Sequence, residues 1–474
     1  MIGEFADRLT RGVEAAGATV SEAFFEPSLR IGVTGLSQAG KTVFITALVA
    51  NLMNRARMPQ LSAARDGRIQ AVFLQPQPDN TVPRFDFEDH LAALTGPEPY
   101  WPEGTRSVSE LRLSFRIQDR SLLSGVTFGL MGPRTLHLDI VDYPGEWLLD
   151  LALLEKSYAS WSEEALARLP KRPGGQAYLA QLEGLDPAAR LDEPVLRRLS
   201  AAFADALKAA RKAGYSDCSP GRFLLPGELA GAPVLAFAPL PDSGHAPRGS
   251  LGAECARRFE AYKREVVKPF FRDHFAKIDR QIVLADVLSA VAAGPAALED
   301  LRRTLAEILA VFRPGRNAFL TQLLMGRRVE KVLFAATKAD HIHHRQHPSL
   351  SALIEALLRD AKDRADFHGA ATEALSIAAL RCTTEETRDH KGKALDMVRG
   401  RRAGARKNTA FYPGEFPQDP ARLLSPARNG QEVWDERNYQ MLDFSPAPVN
   451  LKPGEGPPHI RLDRAAEFLI GDKL

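Results

Sequence analysis

Hydrophobic residues along the chain change their period several times, and each change marks an element. Leu29-Arg30-Ile31-Gly32-Val33-Thr34 reads as a short strand, and Thr42 to Leu52 follows with apolar residues at Val43, Ala47, Leu48 and Leu52, a helical spacing. Residues 110–117 and 135–141 alternate with period two, which predicts an antiparallel hairpin joined through Gly125 to Pro133. Gln281 to Asp286, Lys331 to Ala336 and Leu375 to Leu380 are short continuous apolar runs, the pattern of buried strands, and Arg464 to Ile470 reads as a final helix. The order predicts an α/β fold with a six-stranded mixed sheet and one antiparallel strand.

Long connections interrupt that order. Trp147 to Lys212 is rich in helix formers with periodic Leu and Ala, residues 213–252 are rich in Pro and Gly, and Ala253 to Ile278 is helical again. A mainly helical insertion over 147–278 is therefore expected, with a further helical stretch at Ala296 to Arg313. Residues 384–456 carry turns and prolines and are expected to be irregular. This leaves a core of 28–146, 279–383 and 457–474. At the amino end, Phe5, Leu9 and Val13 recur at helical spacing beside charges, so residues 1–27 are expected to form a helical extension. That helix would pack on its own domain or, alternatively, make a peripheral membrane contact.

Composition narrows the class. The 474 residues are 45% hydrophobic and 26% charged, an ordinary globular balance. The net charge of +3 argues against a surface built throughout for nucleic acid or membrane, and no specific nucleic acid is expected as a partner. Three widely spaced cysteines, Cys218, Cys255 and Cys382, suggest neither a disulfide framework nor a thiolate zinc site. Charges break the first 23 residues, so they do not form a signal peptide, and a cytoplasmic location is expected.

The chemistry lies where the strands end. Gly35-Leu36-Ser37-Gln38-Ala39-Gly40-Lys41-Thr42 matches the phosphate-binding P-loop pattern, placed between a strand and a helix. Backbone amides from Gly35 through Ser37, Gln38, Ala39 and Gly40 to Val43 would converge on an anion. Lys41 would reach the β and γ phosphates, and the Thr42 hydroxyl would hold Mg²⁺. Asp142-Tyr143-Pro144-Gly145 matches D-x-x-G at the end of an apolar strand. There Asp142 would serve the metal and the Gly145 amide the γ-phosphate. Asp366 to Gly369 and Asp389 to Gly392 match the same short pattern without that context.

Thr337-Lys338-Ala339-Asp340 closes another buried strand. A carboxylate at Asp340 can accept from guanine N1–H and the exocyclic amine, neither of which adenine offers in that geometry. The Lys338 stem would lie over the purine. The following loop would place a backbone amide near guanine O6, from Cys382 or Thr383. Thr105 is the candidate switch threonine for Mg²⁺ and γ-phosphate, with Thr81 as its rival. Glu146 stands where many small GTPases place a water-orienting glutamine. Its carboxylate would be repelled by the γ-phosphate unless it points away, is protonated or leaves the water to another group, so slow hydrolysis is expected. Lys41, Thr105 and Glu146 are thus the catalytic candidates. Thr42, Thr105 and Asp142 are the metal candidates. Gln38 would face solvent or phosphate, with a monovalent ion as the alternative.

Gly35 to Thr42, Trp101 to Thr105 ahead of Glu110 to Leu113, Asp139 to Glu146, Phe334 to His341 and Glu467 to Asp472 together resemble the YcjX-like family of bacterial P-loop proteins. The resemblance implies a P-loop NTPase of GTPase type, GTP and GDP binding with slow hydrolysis, a helical insertion and an association with stress responses. The insertion follows D-x-x-G directly, so it is placed to sense the γ-phosphate and present that state to a protein effector. A nucleotide-dependent scaffold or membrane-associated adaptor with incidental hydrolysis is the competing expectation. An ATP-using kinase is disfavoured by Asp340 and Lys338. The basic run Arg399, Arg401, Arg402, Arg406 and Lys407 reads as a solvated loop or an anion contact. His341, His343, His344 and His347 read as a polar helix start or loop, with metal ligation as the lesser alternative.

Overall fold

The computed structural model describes residues 26–36, 38–104, 107–118, 134–241, 246–311, 329–363, 370–405, 407–434 and 439–474. The expected amino-terminal helix, the hairpin loop, Ser37, Thr105, Asp366 to Gly369 and Arg406 lie outside them.

Seven strands form the central sheet in the order β2-β3-β4-β1-β5-β6-β7. They are β1 Ser28–Gly35, β2 Ile69–Gln75, β3 Ser109–Ile117, β4 Arg134–Asp142, β5 Arg280–Ala285, β6 Lys331–Ala336 and β7 Ala371–Ser376. β1 is parallel to both β4 and β5, and β5, β6 and β7 continue in parallel. β3 alone of the seven is reversed, antiparallel to β2 and β4 and in register with β4 from Ser109 opposite Asp142 to Ile117 opposite Arg134.

The mixed sheet with one reversed strand is as expected, but its strand count is seven rather than six. The additional strand, β2, is an edge whose residues after Ile69 are half-buried or exposed, and a register shift between Ile69 and Ala71 breaks its alternation. A bulged edge strand carries neither a continuous apolar run nor a clean period of two.

Burial explains the rest of the sheet. β5 is buried at every residue and β6 at all but Lys331, so both read as continuous apolar runs. On one face, Leu29, Ile31 and Val33 of β1 join Leu111, Leu113 and Phe115 of β3 in a core with helix α1, Lys41–Met53. The carboxyl-terminal helix Leu462–Ile470 packs into the same core through Leu462, Ala465 and Leu469. The opposite face buries Val283, Val332 and Phe334 with helices Pro295–Val311 and His347–Asp363.

Between β4 and β5 the chain is helical, with segments at Gly145–Leu149, Tyr158–Arg168, Gly175–Leu182, Glu193–Lys212 and Leu251–Tyr262. Trp161, Phe203, Phe237 and Phe259 form its aromatic centre, with Trp161 stacked on Phe259 at 5.0 Å between ring centroids.

Residues 384–456 differ from the irregular stretch expected. They hold a three-stranded antiparallel sheet, β8 Thr384–His390, β9 Lys393–Arg401 and β10 Asn408–Phe411, and a short helix Ala421–Arg428. β8 is polar and largely exposed, so no apolar alternation announces it. Its turn explains the D-x-x-G match at Asp389: Lys391 and Gly392 have φ of 56° and 80°, and the Gly392 amide donates to Asp389 Oδ1 at 3.0 Å. That is the chemistry of a two-residue hairpin. No helix among the described residues is long and apolar enough to cross a membrane.

Candidate functional site

The carboxyl ends of β1, β4 and β6 open on one cleft of about 700 Å³. Its lining runs from the glycine loop and Gly145 at one end to Thr337, Lys338, Asp340 and Cys382 at the other. Parallel strands bring these together because each ends at the same edge, where the connecting loops collect.

The glycine-loop end is built from backbone. Left-handed residues at Gln38, φ 56°, and Gly40, φ 76°, curl the chain before α1, and the Ala39 amide closes onto the Leu36 carbonyl at 3.0 Å. Gly40 needs its missing side chain for that conformation. It caps α1 without a side-chain hydrogen bond, and the first turn of α1 carries no acidic residue. The helix thus brings no oxygen side chain at its cap and no carboxylate in its own first turn, which suits an anion.

Lys41 and Asp142 meet at this end, with Nζ 2.5 Å from Oδ1 and both side chains largely buried. Gly145 is pressed against the loop: a Cβ there would lie 2.1 Å from the Gly35 carbonyl oxygen. The D-x-x-G glycine is required by this close approach of two backbones. The Thr42 hydroxyl and Asp142 carboxylate are hard oxygen donors, buried beside a position that already attracts the Lys41 cation, so the donor set fits Mg²⁺.

At the far end Asp340 is buried, and the Cys382 amide donates to its Oδ2 at 2.9 Å. The Cys382 thiol adds a contact at 3.1 Å, and the Thr383 hydroxyl donates to the Asp340 carbonyl. Burial pushes the Cys382 thiol well up, and the adjoining Asp340 carboxylate adds to the effect. Lys338 adopts φ 60° and places Nζ 2.5 Å from Asp286 Oδ2. Burial lowers the Lys338 pKa, but Asp286, with Asp443 and Asp340 further off, outweighs burial and raises it overall.

Several lining residues carried no distinct signal in sequence. Arg211, from helix Glu193–Lys212, lines the cleft and pairs with Glu146 Oε1 at 2.9 Å. One arginine among the charged positions of an amphipathic helix looks like any other. Asp443 and Phe444 reach the cleft from the carboxyl-terminal insertion. Trp101 donates from Nε1 to the Phe444 carbonyl at 2.7 Å, and Arg401 donates to the Pro99 carbonyl at 3.0 Å. The segment leading to Thr105 is thereby strapped to that insertion. Thr81 is exposed and bonded to Asp79 through its own amide and hydroxyl, and it does not line the cleft.

The histidines divide. His341 is buried at the cleft with its ring edge-on to Phe444, and burial lowers its pKa. His344 pairs with Glu385 at 2.6 Å, and His347, which opens its helix, bonds the Ala339 carbonyl at 2.8 Å. Donor atoms of Asp340, His341 and Cys382, and separately of His343, His344 and Glu385, lie within 4.8 Å of one another. In the first group Asp340 is already engaged by the Cys382 amide.

A glycine loop between a strand and helix, with a carboxylate closing the neighbouring parallel strand of a mixed sheet, defines a P-loop NTPase fold. Within that class the chain belongs to the YcjX-like family, DUF463, whose family model matches residues 29–474. It is 41% identical over 461 residues to the Ras-like GTPase YcjX of Escherichia coli (strain K12), covering 94% of this chain and 96% of the relative. It is 36% identical over 471 residues to the Ras-like GTPase YcjX of Shewanella oneidensis, covering 94% of each chain.

Proposed function

We propose that this protein binds GTP and GDP in the cleft and slowly hydrolyses GTP with Mg²⁺, acting as a nucleotide-dependent switch in the stress-associated setting that the family resemblance implies. One observation carries the reading: a single cleft joins a cationic, amide-rich end at Lys41 to a buried carboxylate at Asp340. A nucleoside polyphosphate has the complementary order of charge and base, and the names of the two relatives agree with it.

Thr42 and Asp142 would hold Mg²⁺, which neutralises phosphate charge when bound. The α1 amides and Lys41 bind and orient the phosphates, and Lys41 draws charge toward the β–γ link. Asp340 selects the base, and the Lys338 stem lies along it. The Thr105 hydroxyl completes the phosphate shell. The helical insertion, joined to the loop at Glu146, presents the nucleotide state to a protein effector. Turnover with Mg²⁺ is expected for GTP and not for ATP; preferential ATP hydrolysis would remove the guanine assignment.

Glu146 is engaged by Arg211 and is not free to orient water while that pair holds. Glu146→Gln is expected to leave GDP affinity nearly unchanged and to alter GTP hydrolysis. Equal losses of binding and hydrolysis would show that Glu146 instead supports the whole loop.

A further inference from the structure

We infer that Arg211 is a catalytic arginine supplied in cis by the helical insertion, held on Glu146 until a γ-phosphate draws it away. The inference rests on the proposed GTP hydrolysis and adds to it the residue that stabilises the transition state and the contact that restrains it.

Position is the first argument. Glu146 follows Gly145, and Gly145 is packed against Gly35 of the phosphate loop, so the carboxylate stands one residue from where the third phosphate must enter. Arg211 reaches that carboxylate from another segment, in the last turn of helix Glu193–Lys212. Its side chain keeps 33% of its surface exposed, whereas Glu146 keeps 6%. The arginine is the partner with room to move.

The second argument is how firmly the insertion is held at this point. Asp150 is fully buried and accepts from the Gly221 amide at 2.8 Å, the Ser219 hydroxyl at 3.2 Å and the Tyr262 hydroxyl at 2.5 Å. A Cβ on Gly221 would lie 2.4 Å from the Glu146 carbonyl oxygen, so the insertion loop lies directly on the residue after D-x-x-G. Arg222, the other nearby guanidinium, is placed over the Trp147 ring at 3.4 Å. Arg211 alone of this pair lines the cleft.

Electrostatics supply the switch. Bound GDP ends before Gly145 and leaves the Glu146–Arg211 pair undisturbed. A γ-phosphate places negative charge beside Glu146, which repels the carboxylate and competes for the guanidinium. In hydrolysis a water oxygen bonds to the γ-phosphorus and the bond from that phosphorus to the β–γ bridging oxygen breaks. GDP and inorganic phosphate form, and the water proton passes to phosphate and solvent. Arg211 transfers no proton; its N–H groups neutralise charge on the phosphoryl oxygens, a role worth ~10³–10⁵-fold where arginine fingers act.

The test uses the full-length protein with Mg²⁺, comparing wild type, Arg211→Ala, Arg211→Lys and Glu146→Gln. Fluorescent GDP affinity, single-turnover GTP hydrolysis, GDP–aluminium fluoride complex formation and thermal melting are measured for each. Arg211→Ala is expected to slow hydrolysis by at least ~10²-fold, to lose the aluminium fluoride complex and to keep its GDP affinity. Lysine cannot reproduce the planar fork and should restore little of the rate. Glu146→Gln releases the arginine and should raise the rate. Full activity in Arg211→Lys, or equal loss in Glu146→Gln and Arg211→Ala, would reduce Arg211 to an anchor for Glu146 and overturn the inference. Should Arg211→Ala fail to fold, Arg211→Lys and Glu146→Gln decide the matter. Wild type that does not prefer guanine over adenine nucleotides would instead sink the underlying reading, whatever Arg211 does.

Discussion

Asp340→Asn is expected to weaken GDP binding by ~10²–10⁴-fold and to make xanthosine diphosphate the better ligand. The Cys382 amide fixes one oxygen of the Asp340 side chain at 2.9 Å, leaving the other for the base. Asparagine would keep its carbonyl oxygen on that amide and turn its NH₂ toward the base. Guanine presents donors from N1 and its amine, so donor would face donor in a buried site. Xanthine has a carbonyl in place of the amine and accepts from the new NH₂. Competition of GDP, xanthosine diphosphate and ADP against fluorescent GDP measures the change. Equal weakening for all three, with no gain for the xanthine nucleotide, would make Asp340 a structural partner of Cys382 and Thr383 and nothing more.

The same carboxylate shows why parts of this site are legible in sequence. Asp142 closes β4, Lys41 opens the helix after β1 and Asp340 follows β6, and the apolar patterns of these buried strands reveal their ends before any fold is known. Local chemistry and local pattern then coincide. β2 was hidden because a bulge and a half-exposed edge erase its period. β8 was hidden because its residues face solvent on both sides. Arg211 was hidden for another reason. Its meeting with Glu146 spans the packing of a whole insertion, and no spacing along the chain encodes which arginine of an amphipathic helix turns inward. Trp101 is an intermediate case, visible as part of a family-like segment but not as a strap to Phe444. Short-range pattern thus describes the cradle, and tertiary packing decides what leans over it.

Lys41 distinguishes these two kinds of information in one residue. Lys41→Ala is expected to reduce GTP and GDP affinity by ~10²–10³-fold, since it removes the proposed charged donor to the phosphates. It should also destabilise the nucleotide-free protein, because Nζ lies 2.5 Å from the buried Asp142 carboxylate. Removing one partner of a buried ion pair costs about 3–5 kcal/mol in the general case. The exposure of the Lys41 side chain, 11%, places this pair toward the lower end. The two losses separate in a double variant. Lys41→Ala with Asp142→Asn removes the uncompensated charge, so thermal stability should recover toward wild type. Nucleotide affinity should not recover, because the double variant lacks both the proposed phosphate cation and the proposed metal carboxylate. Thermal melts without nucleotide and fluorescent GDP titrations with Mg²⁺, run as a double-mutant cycle, read the two effects independently. If affinity returned along with stability, Lys41 would be acting through the shape of the loop. If neither returned, the 2.5 Å contact would not be the source of the stability loss.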